Sequence, residues 1–250
     1  MEDVRPIIPA PPRKRLIRLR VPLAISAVLV AFATSQAAVS QAPQPVHWTT
    51  ATVLAWMDKS AQGFHSLTAH IEHVKYTAVV SDTSTESGDM FVRRDDKLRI
   101  DFHSPDKRTV LRNGDTLFVY TPKINRVEEY DLGKNRAMVD QYLLLGFGTR
   151  SAEVQKSYDV AVTGEEELDG QKVVVLELTP KSADVRRQIT KIVMWVDEAK
   201  WLPLQEKFIE ATEGDYFLAR YTDLKENLKF PDSKFKQDWP KNAVRVKPQS

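Results

Sequence analysis

Between residues 67 and 230 the chain consists mostly of short alternating runs punctuated by turn residues, which commits its fold to an antiparallel sheet. "LTAHIEHVKYTAVV", "GDMFVRRDDKLRIDF" and "RTVLRNGDTLFVYTPKINRVEEYDL" come first. "YDVAVTGEEELDGQKVVVLELTP", "TKIVMWVDEAKWLPLQEKFIEA" and "YFLARYTDLKENLKF" follow. Asn113-Gly114 between alternating runs is a strong hairpin signal, and Asp169-Gly170 and Glu213-Gly214 supply further turns. Strands do not alternate with helices, so βαβ units are excluded. The pattern predicts roughly ten strands, with two or three helices on one face of a single sheet.

Two segments predict those helices. "TVLAWMDKSAQGF" places Val53, Leu54, Met57 and Ala61 at helical spacing, with Thr50 or Thr52 able to cap its start and Gly63 its end. "RAMVDQYLLLGFG" is apolar at 138, 139, 142, 143 and 145 and stops at Gly146 and Gly148. Two strands break the rule that one face of a sheet is polar. "TLFVYTP" is apolar on both faces through Leu117, Phe118, Val119 and Tyr120, and "KIVMWV" repeats this through Ile192, Val193, Met194 and Trp195. Each side of the sheet therefore needs an apolar cover, whether helices, another layer or a ligand.

The hairpin over residues 88–102 raises a different question. Its strands carry Met90, Val92, Leu98, Ile100 and Phe102, yet its turn is Arg93-Arg94-Asp95-Asp96 instead of Asn-Gly or Asp-Gly. Taken by itself, Arg94 is either a rim arginine paired with Asp89, Asp95 or Asp96, or a donor to the backbone of a covering helix. Arg99 is expected to be an outward charge on the sheet surface.

The N-terminus predicts a secretory signal over residues 1–42. "RKRLIRLR" is followed by "VPLAISAVLVAFA", an uncharged run of 13 residues. As a helix this spans ~20 Å, short of the ~30 Å hydrocarbon core. Small residues at Ser35/Ala37 and Ser40/Ala42 fit a cleavage site, and the n-region lacks adjacent twin arginines. The segment carries six of the chain's 36 basic residues and two of its 34 acidic ones, so the remaining 43–250 domain has 30 and 32. That near-neutral body excludes the basic footprint of nucleic-acid binding.

Signals of catalysis are weak. The chain has no cysteine, which excludes disulfides, thiol nucleophiles, Cys-based zinc sites and a lipid-modified Cys anchor. His65, His70 and His73 do not converge, because His70 and His73 point to opposite faces of one strand. "GFG" lacks a phosphate-binding helix, and the carboxylates of "GEEELDG" sit in a turn. Neither an enzyme, a cofactor nor a metal is expected.

A series of motifs now carries a resemblance. The signal, the amphipathic first helix, "SGDMFVRRDDKLRIDFHSP", "LRNGDTLFVYTPKINRVEEYDL" and "LELTPKS" follow the order and spacing of LolA-type outer-membrane lipoprotein carriers, from about residue 52 to 245. The resemblance implies an unclosed half-barrel with lid helices on its concave face. It further implies a monomeric periplasmic chaperone that carries lipoprotein acyl chains from an inner-membrane lipoprotein-releasing complex to an outer-membrane acceptor. The family's motif arginine falls on Arg94, which implies a lid or transfer switch, although the proline that follows it in the family is Asp95 here. Cavity candidates are Met90, Val92, Leu98, Ile100, Phe102, Leu117, Val119 and Trp195. The rival is a periplasmic module on the same fold that senses lipid or outer-membrane stress. Such sensors usually carry a second domain, whereas this chain is expected to stop soon after its last strand, at "DWPKNAVRVKP".

The mature protein is expected to be soluble and to begin after Ala37 or Ala42. N-terminal sequencing checks this, and Met1 retained on membrane-bound protein would refute the targeting argument.

Overall fold

The structure, a computed structural model, describes residues 47–133 and 145–248. The signal expected over residues 1–42 and the body of the helix expected from residue 136 lie outside them. Twelve strands form one sheet: β1 (Ser66–Thr77), β2 (Asp82–Arg93), β3 (Lys97–Ser104), β4 (Arg108–Asn113), β5 (Thr116–Thr121), β6 (Arg126–Asp131), β7 (Tyr158–Leu168), β8 (Gln171–Pro180), β9 (Ile189–Asp197), β10 (Pro203–Glu210), β11 (Tyr216–Glu226) and β12 (Val244–Val246). The helices are α1 (Thr50–Gly63), α2 (Ser151–Ser157) and α3 (Ala183–Arg186).

Strand order is β12-β6-β5-β4-β3-β2-β1-β11-β10-β9-β8-β7, so two meanders join along β1 and β11 and the sheet stays open. Every pair is antiparallel except β12, which lies parallel to β6 through Val244↔Arg126. That three-residue strand is too short to show alternation, so the residue pattern carries no sign of it.

Register assigns one face cleanly. Ile71 on β1 pairs with Tyr221 on β11 and Gly88 on β2, and Met90 pairs with Ile100, which pairs with Val110. On the other wing Phe208 pairs with Ile192, and Ile192 with Leu178. The sheet curls about this face. Ile100 on β3 and Ile189 on β9 line a common cavity, although five strand spacings of ~4.8 Å separate their strands in a flat sheet.

Helix α1 covers part of the concave face with Val53, Leu54, Met57 and Ala61, the four residues its periodicity marks. Its N-cap is Thr49, whose hydroxyl accepts from Thr52 N at 3.2 Å. Thr50 is diverted because its hydroxyl accepts from Val162 N at 3.1 Å, docking the helix on β7. Asp58 holds the start of α2, accepting from Ser151 N and Oγ, each at 2.6 Å.

The opposite face has its own cover. Leu111, Phe118 and Val127 pack under Phe235 and Trp239 of the segment that follows β11. This explains the two-faced "TLFVYTP": Leu117 and Val119 face inward, while Phe118 and Tyr120 face outward beneath Trp239.

Gly88 sits where β2 shifts register against β3, and a Cβ there would lie 2.2 Å from Asp101 O and 2.7 Å from Phe102 Cα. Both obstacles are backbone, so Gly88→Ala is expected to lower stability by ~1–3 kcal/mol in urea denaturation. Gly164→Ala, with nothing within 4 Å, should stay within ~0.5 kcal/mol of the parent.

Candidate functional site: the concave face

Among the described residues the concave face borders two spaces of ligand size. One, of 270 Å³, lies between Ile71, His73, Met90, Ile100, Ile189, Phe208, Glu210, Phe217 and Tyr221. The other, of 420 Å³, opens beside the end of α1 and beneath α2; its wall includes Phe64, Val92, Arg94, Leu145, Phe147, Val154 and Lys156. Both have apolar floors and polar rims. Such spaces, few per protein and largely preformed, are where apolar ligands bind.

Met90, Val92, Leu98, Ile100 and Phe102 lie together on this face and are all buried. Leu117 and Val119 follow on the same face at β5, partly exposed. Trp195 lies on the other face, between Val175 and Gln205, and its indole N–H donates to Glu166 Oε2 at 2.8 Å. Alternation dictates this, since Met194 and Val196 occupy the concave positions on β9.

The tandem arginines divide between the two sides. Arg93 turns to the convex face, donating to Asp95 Oδ1 at 2.6 Å and Asp232 Oδ1 at 2.7 Å, with its guanidinium 5.1 Å from the Phe235 ring centre. These bonds raise its pKa and hold the Asp95 carboxyl well below the usual range. Arg94 turns to α1. Its Nη1 donates to Phe64 O at 3.3 Å and Gln62 O at 3.5 Å, while its backbone N–H donates to His65 O at 3.0 Å. The carbonyls at the end of a helix are the groups that lack partners and favour a cation.

Arg99 is outward, as expected, but not solvated. It is 8% exposed, donating to Asp101 at 2.8 Å and Asp238 at 2.7 Å beneath the C-terminal segment. The sequence gives no sign of that segment crossing it.

The concave face also carries His73, read from the sequence only as one of three histidines that do not converge, and Arg112 and Glu206, which sequence reasoning missed. Each occupies an apolar position in the alternation, as in Leu67-Ala69-Ile71-His73 and Leu204-Glu206-Phe208, and that is the signal by which they could have been found. His73 packs against Phe102 and Phe217, and burial, aided by the Arg108 charge, lowers its pKa to about 4. Glu206 is 1% exposed; Tyr221 donates to its Oε2 at 2.9 Å, and Oε1 has no hydrogen-bond partner among the described residues. Burial raises its pKa to about 8, against the opposing pull of that hydrogen bond. Both groups are therefore neutral at pH 7. Arg112 is fully buried and donates from Nε to Gly114 O at 3.0 Å.

His70 leaves the concave face and lies 3.6 Å from Asp89, apart from His73. Among the described residues no group of three His, Cys, Asp or Glu side chains could hold a metal ion. No helix among them is long and apolar enough to cross a membrane.

A family model described as an uncharacterized protein matches residues 94–236, more than half the chain. No curated protein matches the sequence. Among solved structures, an uncharacterized conserved protein from Thermus thermophilus is 11% identical, with a TM-score of 0.53 over 78% of this chain and 97% of that one. A LolA superfamily protein from Nitrosomonas europaea is 17% identical, with a TM-score of 0.41 over 76% and 99%. A DUF1329 family protein from Desulfovibrio piger is 17% identical, with a TM-score of 0.43 over 74% and 94%. What the Thermus thermophilus structure shares with this chain at that identity is the fold.

The buried acid gives a pH dependence. Between its unfolded pKa near 4.5 and its folded value near 8, the native state holds the Glu206 proton and the unfolded chain does not. Stability from this group is therefore complete below pH 4.5 and is lost as pH rises to about 8. Glu206→Gln should flatten this fall in denaturation midpoints measured from pH 6.5 to 8, above the range in which the lowered pKa of His73 opposes it. An unchanged slope would show that Glu206 is not buried as a neutral acid.

Proposed function

We propose that this chain, which belongs to the family described as uncharacterized proteins and matched over residues 94–236, is a non-enzymatic periplasmic carrier of acyl chains. Its cargo in this reading is lipoprotein, taken from an inner-membrane releasing complex and passed to an outer-membrane acceptor. The observation that carries the reading is the concave face itself, with apolar side chains from eight adjacent strands, β7–β11 and β1–β3, and spaces of 270 Å³ and 420 Å³ bordering it among the described residues. Its buried acid and imidazole are held neutral, so neither opposes a hydrocarbon chain. Each buried methylene contributes ~0.8 kcal/mol, so partial cover suffices for binding.

Arg94 is assigned the switch. Its bonds to Gln62 O and Phe64 O exist only while the end of α1 lies against the β2–β3 turn. They favour the covered, empty state, and that state competes with cargo and promotes release.

An environment-sensitive apolar probe should bind the protein and be displaced by diacyl or triacyl lipopeptide. Absence of displacement from folded protein would overturn the reading. Arg94→Leu removes ~1–2 kcal/mol from the covered state alone, so lipopeptide should bind ~5–30-fold tighter and pass to acceptor membranes more slowly. Parental affinity and transfer in that variant would return Arg94 to a purely structural role.

A further inference from the structure

Four of the six large apolar side chains exposed among the described residues lie at one end of the sheet. The hairpins β1–β2 and β5–β6 both turn there, and the two turns are built alike. Each is a single 3₁₀ turn, Ala78–Val80 or Pro122–Ile124, closed by a left-handed residue, Ser81 at φ 49° or Asn125 at φ 46°. Val79 is 87% exposed, Val80 67% and Ile124 60%. Val244, 60% exposed, pairs with Arg126 and so lies at the same end. The first tip is held firmly, since Ala78 N donates to Asp215 Oδ1 at 2.7 Å. The 270 Å³ cavity lies deeper in the sheet, walled by Ile71 and His73 from the middle of β1 and by Phe217 and Tyr221 from the tip-side half of β11.

We infer that this end of the sheet docks on a lipid bilayer by inserting its hairpin tips, so that the cavity opens toward the membrane. The tips belong to hairpins separated by β3 and β4 in the sheet order, so they form separate apolar points with no continuous patch. A protein partner needs ~800 Å² of complementary surface per side, which separated points do not supply; a fluid bilayer receives them individually. Behind the Val79–Val80 tip, Tyr76 stacks on Tyr216 at 5.2 Å, and the Lys207 ammonium lies 4.0 Å from the Tyr216 ring centre. An apolar point backed by aromatic rings and long cationic side chains is the arrangement favoured at a bilayer interface. Two ion pairs lie at this end, Lys123 with Asp106 at 3.2 Å and Lys75 with Glu210 at 2.5 Å. In this proposal insertion is driven by the apolar side chains, so it is insensitive to lipid charge.

The inference takes its purpose from the carrier reading, but its test does not depend on it. The chain has no cysteine, so Thr83→Cys, Lys123→Cys and Lys172→Cys each place one polarity-sensitive fluorophore, two beside the tips and one at the opposite end of the sheet. With the full chain and phosphatidylcholine vesicles, the labels at 83 and 123 should shift to an apolar environment and the label at 172 should not. The shift should persist with phosphatidylglycerol vesicles and at high salt, and should be lost when Val79→Ser, Val80→Ser and Ile124→Ser are combined. Because the readout is local, attachment through the apolar segment at 21–33 does not mimic it. Labels at 83 and 123 that stay in water would overturn the inference. So would a shift that also appears at 172, survives the serine substitutions, requires anionic lipid, or is produced by monomeric lysophospholipid that only fills the cavity. Tip insertion without lipopeptide displacement would leave membrane docking standing and remove the carrier reading.

Discussion

The two-residue period of the strands, held in register from each strand to its antiparallel neighbour, governs the rest of this structure. A slip of one residue anywhere would send the apolar set to the opposite face. Register shifts in the β1–β11, β2–β3, β7–β8 and β9–β10 pairs leave the apolar set on one face, so a continuous apolar surface runs in sheet order from β3 to β7, and the twist and curl of the sheet make it concave. Such a surface cannot face water unaided. Among the described residues, α1 covers one wing and Phe64 and Phe147 the centre, and the spaces beside them are the candidate site.

The opposite face shows the contrast. There the segment from Phe230 to Trp239 is pinned by charge-assisted bonds, through Arg93 to Asp232 and Arg99 to Asp238, and Phe235 and Trp239 fill the space beneath it. That cover is tied at several points by carboxylates. On the concave side the tie between Arg94 and the end of α1 is two longer bonds to backbone carbonyls. The tandem arginines thus fasten one face with ion pairs and the other with weaker, separable contacts. Their tetrad turn departs from Asn-Gly or Asp-Gly because its residues serve both covers, with Asp96 taking the left-handed position, φ 60°, that closes the hairpin.

Much of this was legible beforehand. The sheet, the first helix with its four buried residues, the Asn113-Gly114 hairpin and the shared face of Met90, Val92, Leu98, Ile100 and Phe102 all follow from spacing. The illegible parts share a cause: they depend on contacts between residues distant in the chain. Thr49 caps α1 because β7 engages Thr50. Arg99 is buried because a segment some 135 residues later crosses it. Trp195 was grouped with the cavity because a two-faced strand does not reveal which of its faces is concave; only the pairing of β9 with β8 and β10 decides that.

The polar residues on the concave face complete the physical picture. A charge facing hydrocarbon carries a large desolvation cost, and a group that can change its protonation state avoids it by becoming neutral. His73 and Glu206 do so in opposite directions, one losing its proton and the other keeping it. Glu206 keeps one oxygen bonded to Tyr221 and the other without a partner among the described residues, so the fold bears a cost there that a leucine would not impose. The concave face thus keeps polar groups that a finished apolar core would lack.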